Sequence, residues 1–157
     1  MILIGDSSAL IALSTCNALE LLVELFSRVF VPQAVYDEIC GKNKRESMAL
    51  EVFLKDRVVP VVLEDYLVCD FSLGQGELEA IALCKKLKAD RVLIDDKRAR
   101  KLAKLNGINT IGSLGVLLTA KERGLIQQIT PYIEKLEHSD IYIKKNLLEY
   151  VIRLSGE

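Results

Sequence analysis

The sequence predicts an α/β fold built on a mostly parallel central sheet, and three observations carry that expectation. Ile2-Leu3-Ile4-Gly5 and Val92-Leu93-Ile94 are apolar runs without polar alternation, the pattern of strands buried on both faces. Such runs alternate with longer segments of helical periodicity, the order that gives a helix–sheet–helix sandwich. Glycine, proline and asparagine punctuate the changes from one pattern to the other. The 157 residues suit one domain. Half of them are hydrophobic, enough for a core that hides roughly two-thirds of the unfolded surface.

Taken in order, Ile2–Gly5 is the first strand, and Asp6-Ser7-Ser8 supplies N-cap chemistry for a helix-compatible stretch from Ala9 to Phe26. Arg28 to Val31 is a second strand. Pro32 fits the first turn of the next helix, which runs to Cys40 and stops at Gly41. Lys42 to Arg45 is a polar break, Ser47 to Lys55 a helix and Val58 to Leu63 a strand. Leu73-Gly74-Gln75-Gly76 is a turn before a strong helix, Glu77 to Lys88. Arg91 to Ile94 is a strand, and Asp95-Asp96 opens a helix that reaches Leu105 and closes at Asn106-Gly107. Ile108 to Ile111 is the last strand, and the helix Ser113 to Arg123 ends at Gly124. The remainder reads as two amphipathic helices, one with the stripe Ile129, Ile133, Leu136 and one with Leu147, Val151, Leu154. The expected organisation is a main domain over 1–124 and a C-terminal helical extension over 125–157 packed on it.

Composition narrows the chemistry. The net charge of −1 is not that of a strongly basic nucleic-acid binder, although acids gathered in one place would leave the rest of the surface more basic than the total. Cys16, Cys40, Cys69 and Cys84 form no C-x-x-C pair and have apolar neighbours, so they read as reduced, buried small hydrophobes. His138 is the only histidine, which argues against a Cys/His zinc site and against catalysis by a histidine base. The N-terminus meets Asp6 without a basic leader, and no apolar run nears the roughly 20 residues that span a bilayer. The reading is a soluble, cytoplasmic protein without a membrane partner.

Position selects the acids that matter. Asp6 follows the first strand directly, and Asp95 and Asp96 follow Val92-Leu93-Ile94; ligand sites in parallel sheets form at the carboxyl ends of strands. Glu38 lies three residues after Val35 and beside Ile39, on the inward side of its helix. Glu77 continues the stripe of Ala80, Ile81, Cys84 and Leu87, with Glu79 as second choice on a more mixed face. Clustered carboxylates repel one another and resist burial unless a cation sits among them. Hard oxygen donors select Mg²⁺ or Mn²⁺. Such an ion lowers the pKa of a water and stabilises the leaving oxygen of a phosphodiester, chemistry that needs neither histidine nor cysteine. Each acid also has a plain structural reading: Asp6 as a helix cap, Glu77 and Asp96 as acids favoured in first helical turns, Glu38 as a half-exposed surface residue.

Several segments in sequence order resemble the PIN-domain superfamily: Ile2-Leu3-Ile4-Gly5-Asp6-Ser7-Ser8, Val31-Pro32 through Glu38-Ile39, Gly74-Gln75-Gly76-Glu77 through Leu83, Leu93-Ile94-Asp95-Asp96 through Arg100, and Ile111-Gly112-Ser113-Leu114. The similarity covers about residues 1 to 124. It is nearest to a prokaryotic PIN-like branch of uncharacterised proteins related to the VapC-type toxin ribonucleases of toxin–antitoxin pairs. The resemblance implies a PIN-like three-layer α/β/α sandwich and a metal-dependent ribonuclease in which Asp6, Glu38, Glu77 and the Asp95–Asp96 pair surround Mg²⁺ or Mn²⁺. It implies an RNA substrate and leaves an antitoxin protein and a homodimer open as partners. Two departures stand out. Many members carry Thr or Ser two residues before the last acid, where Ile94 stands if Asp96 is the counterpart. Many also carry Asp in place of Glu77.

Lys97, Arg98, Arg100, Lys101 and Lys104 follow the acidic pair; they read either as phosphate-binding cations or as the solvated face of a helix. Lys42, Lys44 and Arg45 fall in the polar break. Two rivals to the nuclease remain: a PIN-like module that binds RNA or protein without turnover, and a small-molecule phosphohydrolase, which the Ser8 two residues after Asp6 disfavours against the D-x-D of aspartyl-phosphate enzymes.

Overall fold

The computed structural model describes residues 1–41, 45–66 and 72–157. Five strands form one sheet: β1 (Ile2–Gly5), β2 (Arg28–Pro32), β3 (Val58–Val59), β4 (Arg91–Leu93) and β5 (Thr110–Ile111). Every pairing is parallel, in the order β3-β2-β1-β4-β5, so the expected mostly parallel sheet is wholly parallel among the described residues. The unalternated apolar runs have their explanation here. Leu3, Val29, Val31, Leu93 and Ile111 point into one hydrophobic cluster, while Ile4, Val92 and Ile94 point into another on the opposite face.

The first cluster is covered by α1 (Ser7–Thr15), α2 (Glu20–Leu25), α3 (Gln33–Cys40), α4 (Arg45–Leu54), α7 (Ser113–Glu122), α8 (Thr130–Glu137) and α9 (Lys145–Leu154). The second is covered by α5 (Gln75–Leu87) and α6 (Lys97–Leu105). From β1 the chain moves outward through β2 to β3, then crosses back to β4 and on to β5. Right-handed crossovers in opposite directions land on opposite faces, which separates α1–α4 from α5 and α6. The reversal leaves a switch point between β1 and β4, at whose carboxyl ends Asp6 and Asp95 emerge.

Several elements differ from expectation for local reasons. The stretch from Ala9 to Phe26 is two helices, because Asn17 adopts a left-handed conformation with φ 57° and turns the chain. The strand expected over Val58–Leu63 is only Val58–Val59; Pro60 has no N–H for the ladder, and Leu63–Tyr66 forms a 3₁₀ turn. Pro32 ends β2 and occupies the N-cap of α3 rather than its first turn. Arg45 opens α4 instead of lying in the break. Gln75 and Gly76 belong to α5, not to a turn. In α9 the buried residues are Leu148 and Val151, whereas Leu147 and Leu154 of the expected stripe are 46% and 59% exposed. Ile129, Ile133 and Leu136 are buried as expected and join the same core as α1 and α7.

Cys16 and Cys84 are buried, Cys40 is only half-buried, and Cys69 lies outside the described residues, as do Lys42 and Lys44. Burial pushes the Cys16 and Cys84 thiols up to about 11, so neither is a thiolate nucleophile at neutral pH. Among the described residues no helix is long and apolar enough to cross a membrane.

Candidate metal centre

Asp6 begins where β1 stops. Its N–H donates to the Leu93 carbonyl at 3.0 Å, extending the β1–β4 pairing by one residue and pinning Asp6 beside the end of β4. The residue is 1% exposed. It occupies the N-cap position of α1, yet its side chain makes no cap hydrogen bond. The Ser8 hydroxyl donates to Oδ2 at 3.3 Å, and Oδ1 is buried with no hydrogen-bond partner among the described residues. The carboxyl is pushed up from 3.8 to about 7. Burial is the main cause, the Ser7 backbone N–H opposes it, and the charges of Glu77 and then Glu38 raise it further. The capping account of Asp6 therefore fails to explain its side chain.

Glu38 projects from α3 and is exposed, although its helix face was expected to turn it to the inward side. Its carboxylate is nevertheless held at the site: the Ser7 hydroxyl donates to Oε2 at 2.7 Å. Gly76, in the first turn of α5, leaves it room, since a methyl group there would sit 2.7 Å from Glu38 Oε1. Ser7 and Ser8 thus each hold one acid.

The two α5 glutamates separate clearly. Glu79 accepts from the Ala34 N–H in the first turn of α3 at 3.1 Å and from Gln75 Nε2 at 2.9 Å; it ties α5 to α3. Among the described residues Glu77 accepts only the Gly74 N–H at 2.8 Å, one half of a capping box, and it is the acid that acts most strongly on Asp6.

The Asp95–Asp96 pair separates too. Asp96 caps α6, its Oδ1 accepting the Ala99 N–H at 2.9 Å. Asp95 is exposed and reaches across to the start of α7, where Ser113 donates its N–H to Oδ1 at 2.7 Å and its hydroxyl to Oδ2 at 2.8 Å. Gly112 permits this approach, because a methyl group there would lie 2.9 Å from Asp95 Oδ1. Ser113 and the two glycines were not singled out from the sequence as site residues. Their only signal was a Gly-Ser step after β5 and a glycine directly before Glu77.

The structure thus groups Asp6, Glu38 and Glu77 electrostatically, places Asp95 at the neighbouring strand end, and assigns Asp96 a capping bond. Among the described residues no three acidic, histidine or cysteine side chains converge into a finished metal cage, since Glu38, Glu77 and Asp95 each face a donor of their own. The donor set still suits a hard divalent cation. All the groups are carboxylates, and Asp6 is a nearly buried acid whose orphaned oxygen and raised pKa are what a cation would relieve. His138, the only histidine, is exposed and bonded through Nδ1 to the Glu134 carbonyl at 2.7 Å.

A family model described as a PIN domain matches residues 2–157 of the chain. A search of curated proteins finds no match.

Proposed function

The chain belongs to the PIN-domain family, a nuclease-type fold whose members typically use divalent metals, and from that premise we propose that it is a metal-dependent endoribonuclease. The observation that carries the reading is the buried, unpartnered Asp6 Oδ1 at the sheet's switch point, with Glu77 and Glu38 raising the pKa of its carboxyl. Asp6, Glu38, Glu77 and Asp95 would hold Mg²⁺ or Mn²⁺, with Asp96 contributing first to α6 and only second to the site. When bound, the ion supplies Lewis-acid polarisation of a phosphodiester and a water of lowered pKa. The chain's own residues do the rest. Ser7, Ser8 and Ser113 orient three of the carboxylates. Gly76 and Gly112 let Glu38 and Asp95 approach the backbone. Burial at the carboxyl end of β1, beside β4, keeps Asp6 from bulk water.

A toxin role, an antitoxin partner and a homodimer extend this reading, as does the view of 125–157 as an extension of a 1–124 domain. The test is cleavage of a mixed RNA pool by the purified chain with Mn²⁺ and with chelator. Asp6→Asn and Asp95→Asn should each lower metal-dependent cleavage on the order of a hundredfold or more, given that metal stabilisation is worth several kcal/mol, while circular dichroism stays that of the unmutated chain. Full activity in both variants removes the proposal. Metal binding without turnover on any RNA would instead favour a binding module.

A further inference from the structure

Apart from Lys104 in the last turn, the cations of α6 gain nothing from the helix that carries them. Lys97 and Arg98 sit in its first turn with no acid, where the positive end of the helix disfavours cations. Lys97 and Lys101, and Arg100 and Lys104, are like-charge pairs four residues apart, which repel. Among the described residues the only ion pair is Lys121–Glu157, so none of these five cations has an acidic partner, nor has Arg91 at the start of β4.

These side chains line two adjoining grooves. One, of about 610 Å³, runs along α6 and is lined by Asp95 and by Lys97, Arg98, Arg100, Lys101 and Lys104. The second, of about 320 Å³, is lined by Arg91, Arg100 and Lys104 together with Ile108, Asn109 and Thr110. Arg100 and Lys104 belong to both, so the grooves adjoin across these two side chains. At one end an Arg100 guanidinium nitrogen comes within 3.4 Å of where a methyl on Gly112 would stand, the same place that approaches Asp95. At the other end the path passes over the amino ends of β4 and β5. The nine residues of α6 are roughly 13 Å long, so the path is several residues of basic surface leading away from Asp95. Among the described residues neither groove is lined by an aromatic side chain, which leaves no platform for base stacking there.

We propose that α6 and the β4–β5 edge form a track for the phosphodiester backbone of a single-stranded nucleic acid, which guides one flank of the strand away from the Asp95 end of the site. The proposal rests on the nuclease reading only for the class of ligand. Unpaired cations without stacking partners read backbone charge and not sequence. A flexible strand is required because the scissile phosphate must approach closely an acid that is only 1% exposed.

Binding is measured in the Asp6→Asn background with chelator, so that no turnover intervenes, using a short fluorescent RNA of mixed sequence over a range of salt. Lys101→Gln with Lys104→Gln, both exposed positions, should weaken affinity about tenfold at physiological salt and flatten the slope of log affinity against log salt by about 1.4, twice the value of about 0.7 for one phosphate contact on a single strand. Lys135→Gln with Arg153→Gln, on helices that cover the opposite face of the sheet, should change neither quantity. A duplex of the same sequence should bind more weakly than the single strand. An unchanged affinity and slope in the α6 variant, equal loss in the control variant, or tighter binding of the duplex each overturns the track. The two readings fail separately. Cleavage by the unmutated chain with an indifferent α6 variant leaves the nuclease and removes the track. Loss of binding in that variant without any cleavage leaves the track and removes the nuclease.

Discussion

Two carboxylates at opposite ends of the chain show opposite physics. Asp6 is buried, has one oxygen with no partner and sits near two other acids, so its pKa rises to about 7. Glu157 is surrounded by donors. Lys121 Nζ, the Ile129 N–H and the Ser155 hydroxyl reach its Oε2 at 2.9, 2.7 and 2.9 Å. The Thr130 N–H and hydroxyl reach Oε1 at 3.1 and 2.7 Å. Burial works to raise its pKa, but the Ile129 N–H, the Lys121 ammonium and the Thr130 donors outweigh it and hold the carboxyl well below its ordinary range. The donors make Glu157 architecture: it caps the start of α8 from a distant part of the chain. An unsatisfied carboxylate costs stability, and the fold retains it at the switch point of the sheet, where a cation would offset the cost.

The largest expected effect is on Asp6. A carboxyl whose folded pKa is raised contributes stability below its unfolded value, near 3.8, and that contribution is lost as pH rises through about 7. In chelator the unmutated chain should therefore lose on the order of 2–4 kcal/mol between pH 4 and 8 through this one group, a fall in Tm of roughly 5–10 °C. Asp6→Asn should flatten that decline and be the more stable protein at pH 8. Adding Mn²⁺ at pH 8 should raise the Tm of the unmutated chain and leave Asp6→Asn unmoved. Melting curves decide it: a variant that is less stable at every pH and still responds to Mn²⁺ would make Asp6 an ordinary structural acid.

Glu157 should behave in the opposite sense. Glu157→Ala removes the acceptor for two backbone N–H groups at the start of α8 and should cost about 1–2 kcal/mol, or roughly 3–6 °C, with cleavage at room temperature unchanged. Because the folded pKa is depressed, the stabilisation is present above the ordinary carboxylate range and disappears as pH falls below it. Variant and unmutated chain should therefore converge in acid. Denaturant titrations at neutral and acidic pH measure this, and a variant with reduced cleavage but unchanged stability would dissolve the contrast.

The sequence revealed the two halves of this contrast unequally. Asp6 and Asp95 were legible because a polar residue directly after an unalternated apolar run marks the end of a buried strand. Their apposition depended on strand order, which no local pattern encodes. Helical periodicity placed Glu38 on the right helix but not at the right depth, since a wheel gives direction and not the distance to the surface. The same limit explains α9, where Leu147 and Leu148 are equally apolar and only the docking of the helix buries the second. The break at Asn17 was hidden inside an apolar run because one residue in a left-handed conformation leaves the surrounding composition unchanged. Glu157 gave no local signal at all, because its partners lie 27 to 36 residues away in sequence, apart from Ser155.

The smallest expected effect sharpens the boundary between the two kinds of acid within one helix. Glu79, like Glu157, has both oxygens occupied, by the Ala34 N–H and Gln75 Nε2. Glu79→Gln keeps an oxygen for the Ala34 N–H, and loses the exposed bond from Gln75 Nε2 and the favourable charge near the start of α3. Stability should fall by about 0.5 kcal/mol or less, too little to change the folded population, and cleavage should stay within about twofold of the unmutated chain. Glu77 stands two residues earlier and has one oxygen engaged by its own helix cap. Glu77→Gln removes the charge that acts most strongly on Asp6, so it should lower the apparent pKa of that carboxyl and depress metal-dependent cleavage. Measuring both variants side by side isolates satisfaction from charge, because the two carboxylates share a helix and differ in what already binds them. If Glu79→Gln is the inactive one, the assignment of Glu77 passes to its neighbour.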